Sequence, residues 1–153
     1  MAIDVLFINP TNRLIYQDLS DDYAAIEPPT WSLLLAESIR AVGYRVAILD
    51  TNAEALRDEE SIERIEGVNA RLLCFVVYGQ NVNAGTVNMS GAVRLADAIK
   101  GHGIATPICF VGSHVSALPH ETLQKEESID IILTNEGVYA LRNLLSCSVF
   151  DVE

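Results

Sequence analysis

Residues 107–119 read PICFVGSHVSALP, and the reading of this stretch decides the fold. Residues 108–111 form an unbroken apolar run, the pattern of a strand buried on both faces. The run stops at Gly112, which permits a close turn, and small polar residues follow. Strands buried on both faces belong to parallel sheets covered by helices, and open sheets of that kind bind ligands at the carboxyl ends of their strands. Ser113, His114 and Ser116 are therefore the first candidates for ligand contact, against the alternative of a polar loop with no ligand.

Outward from there, residues 72–77 are the most apolar strand in the chain and are expected at mid-sheet. The next residues, 78–86, read YGQNVNAGT, a loop whose amides suit recognition of amide or ribose groups and equally suit plain turns. Residues 3–8, 45–49 and 129–133 read as three further strands, with Asp130 at a sheet edge and TNEG at 134–137 as a third polar loop. Periodicity predicts helices over 30–42, 53–66, 88–100 and 138–145. Trp31, Leu34, Leu35, Ser38, Ile39 and Val42 form the expected inner face of the first, and Ala92, Val93, Ala96 and Ile99 that of the third. Five strands alternating with helices argue for a doubly wound, three-layer α/β/α domain, flavodoxin-like, with a five-stranded parallel sheet. We expect one domain over 1–153, with a long loop at 9–29 carrying Asp18, Asp21, Asp22 and Glu27, either a lid or partner contact or a solvated acidic excursion.

The chain has 153 residues and a formal net charge of −11, which repels phosphate backbones and anionic headgroups, so neither nucleic acid nor a membrane is an expected partner. No apolar run is long enough to cross a bilayer and no basic stretch precedes the first strand, so a cytoplasmic location is expected. The three cysteines lack metal-ligand spacing; all are expected reduced, with Cys74 and Cys109 in the core. His102, between two glycines at a helix end, reads as a favourable charge there.

Several chemistries are missing. After the first strand, residues 9–13 read NPTNR where a dinucleotide fold would carry GxGxxG, and no GxxxxGK phosphate loop occurs. A response-regulator receiver shares the architecture, but its acidic cluster belongs at the far end of the first strand and Asp4 is at the near end. His114 with Ser113 or Ser116 lacks an elbow motif and an orienting acid, so a small hydrolase or transferase is the least favoured reading. No complete active site is present, and no catalytic residue is assigned.

Longer motifs carry a resemblance. INP at 8–10 matches an INPP-like turn, PPTWSL at 28–33 a PPLGL-like helix start, and VGYRVAILD at 42–50 an AGHEVRILD-like second strand. VGSHVSALPHE at 111–121 matches GGPHPTALPEE, and IDIILTNEGV at 129–138 matches VDIVVRGEGE, with departures at Val111, Asn135 and Val138. In these features the chain resembles the amino-terminal cobalamin-binding domain of cobalamin-dependent radical S-adenosylmethionine enzymes, which include methyltransferases and the anaerobic magnesium-protoporphyrin ester cyclase. The resemblance implies cobalamin as cofactor, with Gly112, Ser113, His114 and Ser116 lining its nucleotide tail and Asn135, Glu136 and Gly137 beside it. Asn9 falls in the first matched turn, and Tyr78, Gly79, Gln80, Asn81 and Thr86 would face the corrin or the ribose-phosphate. The DxHxxG motif of the other cobalamin class is absent, which implies base-off binding with no histidine on the cobalt. The family's CxxxCxxC, which holds an iron-sulfur cluster, is also absent, so a radical S-adenosylmethionine domain or enzyme is the implied partner. A cofactor-free protein-interaction domain on the same fold is the alternative.

Overall fold

The computed structural model describes residues 2–11, 26–79 and 82–147, so Asp18, Asp21, Asp22, Gln80 and Asn81 lie outside the described residues. The element order is β1 (Ile3–Asn9), α1 (Thr30–Arg40), β2 (Val46–Asp50), α2 (Asp58–Val68), β3 (Ala70–Val77), α3 (Val82–Gly101), β4 (Ile108–Gly112), α4 (Ser113–Ala117), α5 (Pro119–Lys125), β5 (Ile131–Leu133) and α6 (Val138–Ser146). The strands pair in the order β2-β1-β3-β4-β5, all parallel. This is the expected doubly wound, flavodoxin-like sheet, with β3 at its centre.

Alternate residues of each strand enter opposite cores. Leu6, Ile8, Leu73, Phe75, Val77 and Phe110 pack under α2, α3 and α4, where Phe75 and Phe110 stack at 4.8 Å between ring centroids. Val5, Phe7, Leu72, Val76 and Val111 pack under α1 and α6. Each fully buried Phe, Leu or Val side chain contributes roughly 1.5–3 kcal/mol. At the amino edge, Asp4 accepts from the Arg45 amide, and Asp130, beside edge strand β5, takes both Lys100 Nζ and the Ile108 amide at 2.7 Å.

Four expectations change. The inner face of α1 is Ser32, Leu35, Ala36 and Ile39, whereas Trp31, Leu34 and Val42 are exposed. Small side chains at Ser32 and Ala36 let the helix lie close on the sheet, and the bulkier residues turn outward. Helix α3 starts at Val82, six positions before 88. Its Gly85 fits under α4 because a Cβ there would stand 2.5 Å from Ser113 Oγ, so packing overrides the loop-like composition of residues 78–86. Residues 113–117, expected as loop, form α4. Helix α2 begins at Asp58 and not at 53, because Arg57 and Glu60 close a reciprocal cap there while Ala55 takes a left-handed φ of 51°.

Cys74 and Cys109 face each other in register across β3 and β4, fully buried, and Cys147 is exposed. Burial, reinforced by Cys74, pushes the Cys109 thiol well above its ordinary value. With a thiol reagent at neutral pH, Cys147 is expected to react at once and the other two only in denaturant; fast reaction of more than one thiol in the native protein would contradict this core. Among the described residues no helix is long and apolar enough to cross a membrane.

Candidate functional site

In a sheet of this order the chain leaves β1 for β2 on one side and continues from β3 to β4 on the other, so a crevice opens at the carboxyl ends of β1 and β3. Two aromatic rings span it. Trp31, in the first turn of α1, stacks on Tyr78, the first residue after β3, at 4.6 Å and 26°.

Register brings the next three turns to one level. Val77 pairs with Gly112 and Val111 with Leu133, so the segments after β3, β4 and β5 leave the sheet side by side. Gly112 is required by close approach, since a Cβ there would fall on the Val77 carbonyl. Gly137 is required twice: its φ is +71°, and a Cβ would come within 2.7 Å of Val111 Cγ2. These contacts converge on the Asn135 carbonyl, which accepts from Tyr78 Oη at 2.7 Å and from Ser116 Oγ at a long 3.5 Å. Asn135 itself takes a positive φ of 56°, a conformation Asn tolerates. Burial, with the Glu136 charge adding, raises the Tyr78 phenol above its ordinary value, so it stays a donor through the neutral range.

The candidate residues therefore divide. Tyr78, Ser116 and Asn135 meet at the rim, flanked by Gly79, Gly112, Glu136 and Gly137. Ser113 rests against α3 at Gly85. Thr86 and His114 lie along a different surface, a groove of about 670 Å³ between α3 and α5 that Met89, Val93, Leu118 and Thr122 also line. Asn9 faces the β2 side: its amide donates to Asp50 Oδ1 at 2.9 Å and its carbonyl accepts from Thr51 Oγ1. Gln80 and Asn81 lie outside the described residues.

Sequence reasoning missed Trp31 as a rim residue and missed a polar seam between α1 and α6. Ser38 Oγ and Arg142 Nε are buried there without a hydrogen-bond partner among the described residues, and so is Ser32 Oγ on the buried face of α1. Ser32 is only 1% exposed. Nothing local marks these positions, because the partner helices are distant in sequence. Among the described residues no group of three or more His, Cys, Asp or Glu side chains is placed to hold a metal ion.

A family model described as "B12 binding domain" matches residues 17–145. Two structures of the radical S-adenosylmethionine methyltransferase TsrM from Kitasatospora setae are similar in fold. One, with cobalamin and a 4Fe-4S cluster bound, has a TM-score of 0.71 and 15% identity over 95% of this chain. The other, with tryptophan and an S-adenosylmethionine analogue bound, has a TM-score of 0.70 and 15% identity over 93% of it. This chain spans 24% and 25% of those two chains. The E. coli RcsC carboxyl-terminal segment with its phosphoreceiver domain matches more loosely, with a TM-score of 0.57 and 13% identity over 95% of this chain and 46% of that one. Among curated proteins, none matches.

Proposed function

Because this chain belongs to the B12-binding domain family, we propose that it is a single cobalamin-binding module holding the cofactor along the carboxyl rim of its sheet. The observation that carries the reading is the convergence of three turns on the Asn135 carbonyl, above strand ends where Gly112 and Gly137 leave no room for side chains. A large amphiphilic cofactor needs an apolar slot with a few directed hydrogen bonds. The residues present fit that need: Trp31 and Tyr78 offer ring faces, Ser116 and Asn135 polar atoms, and Ser32 a buried hydroxyl without a partner among the described residues.

In this reading Gly112 and Ser116 border the nucleotide tail, with Asn135, Glu136 and Gly137 beside it, and Tyr78 and Gly79 meet the corrin or ribose-phosphate; Ser113, His114 and Thr86, turned towards α3 and the α3–α5 groove, take no part in it. Asn9 acts through the turn it fixes with Asp50. Bound cobalamin supplies a cobalt centre able to carry a methyl group; these side chains bind and orient it and leave one corrin face open to a partner. Absence of DxHxxG and the place of His114 on the α3–α5 groove support base-off binding without a protein ligand to cobalt. The likeness to TsrM supports a radical S-adenosylmethionine domain or enzyme as the partner that completes the chemistry, with the iron-sulfur cluster outside this chain.

The test is to mix the protein with hydroxocobalamin, desalt, and record the visible spectrum. A coloured protein near one corrinoid per chain is expected, and its reduced cob(II)alamin form is expected to show no nitrogen superhyperfine splitting by EPR. Colourless protein at saturating cofactor would overturn the reading. A second reading, a cofactor-free protein-interaction domain, is favoured by exposed apolar residues at the start of α1, where Ile26, Leu33 and Leu34 are more than half exposed.

A further inference from the structure

We infer that Arg142 of α6 and Ser38 of α1 form a seat for an oxyanion of the phosphate class. Arg142 Nη2 donates to the Ser38 carbonyl at 2.9 Å, which fixes the guanidinium against that turn of α1. Its carbon lies 5.8 Å from the centroid of the Tyr139 ring. Two donors at this junction, Arg142 Nε and Ser38 Oγ, are buried and lack any acceptor among the described residues. A buried donor without an acceptor costs free energy comparable to a lost hydrogen bond, so two at one junction point to a ligand that accepts from both.

Charge points the same way. The chain carries 21 acidic and 10 basic residues, and Arg40, Arg57, Arg64, Arg94, Lys100 and Lys125 each reach a carboxylate. Arg45 and Arg142 show no side-chain ion pair among the described residues, and of the two Arg142 is the one partly buried. A cation left without a counter-ion in a strongly acidic protein is placed to take an anion from outside it. The donor set selects the kind: a guanidinium edge engages two oxygens in its plane, and the Ser38 hydroxyl engages a third, which a tetrahedral phosphate has and a carboxylate lacks.

Two sources share this chemistry, free phosphate and the phosphodiester of the nucleotide tail, and the second rests on the cobalamin reading. In the tail assignment the phosphodiester sits against α1 six residues, about 9 Å, further from the rim than Ser32. This assignment makes Arg142 a specificity-determining residue, because cobinamide has the corrin without the nucleotide and its phosphate.

The experiment has two arms. Thermal melting in phosphate against chloride at equal ionic strength reads the seat alone. Wild type is expected to melt a few degrees higher in phosphate, and Arg142→Met to lose that difference. Ser38→Ala is expected to melt higher than wild type in chloride, since it deletes a buried hydroxyl without a partner, yet to gain less from phosphate; a merely structural serine would not divide the two. Equal phosphate responses in all three proteins would overturn the seat. In the second arm, hydroxocobalamin is expected to bind wild type about tenfold tighter than diaquocobinamide, and Arg142→Met to bring the two together by weakening cobalamin alone. An unchanged ratio beside a lost phosphate response supports the seat and overturns the tail as its occupant. If neither corrinoid binds, the cobalamin reading falls, and the phosphate arm still decides the seat.

Discussion

Replacing Gly112 with alanine is expected to lower the stability of the protein by about 3 kcal/mol, at the upper end of what overpacking costs. The backbone at Gly112 is extended, with φ at 164°, so conformation is not the source. The added Cβ would fall on the Val77 carbonyl oxygen, 2.8 Å from its carbon and 3.2 Å from the Val77 Cβ. The carbonyl is strand backbone and the Val77 Cβ is fixed directly to that backbone, so neither yields without forcing β3 and β4 apart. Gly137→Ala is expected to cost less, about 2 kcal/mol, since its left-handed φ is strained for alanine but the atom it meets is a Val111 methyl that can move. Gly43→Ala, with φ at +94° and nothing within 4 Å, isolates the conformational part at about 1 kcal/mol. Urea unfolding with unchanged m-values would report the order Gly112, Gly137, Gly43; equal losses at Gly112 and Gly43 would mean that β3 and β4 do not approach so closely.

The same contacts explain what could be read from residue order. Strands buried on both faces announce themselves as unbroken apolar runs, and residues 72–77 are buried throughout, so the sheet and its central strand were legible. Gly137 was legible as part of a polar loop, the setting in which glycine takes a left-handed φ. The rotation of α1 was not, because Leu35 and Ile39 belong both to the expected stripe and to the observed one, and only the sheet decides between them. The start of α3 was hidden for a related reason: Gly85 looks like a helix breaker until Ser113 is placed against it. At the rim, the motif residues Tyr78, Ser116 and Asn135 did come together, while His114 and Thr86 turned to the groove and the Asn9 amide was taken by Asp50, 41 positions away. The Arg142–Ser38 contact joins residues 104 apart, and no local pattern encodes a separation of that kind.

Tryptophan at position 116 is expected to weaken cobalamin binding about a hundredfold, equivalent to about 2.7 kcal/mol, while the melting temperature stays within a few degrees of wild type. Two features of α4 separate binding from folding. Val115 is its core residue, fully buried against the sheet, whereas Ser116 is half-buried and its long contact to the Asn135 carbonyl contributes little. An indole there has room to lie outward, across Asn135 and the Tyr78 hydroxyl, without entering the core. Steric cover over the point where three turns converge should exclude a ligand from the rim whatever its individual hydrogen bonds. The interaction-domain reading predicts the reverse: Ser116→Trp leaves partner capture intact, and Leu34→Asp, which charges the exposed side of α1 where Leu34 is 57% exposed, abolishes it. Titrating both variants with hydroxocobalamin and following visible absorbance separates the readings, because a corrin held at the rim is sensitive to Ser116→Trp, and a surface on α1 with no cofactor beside it is not.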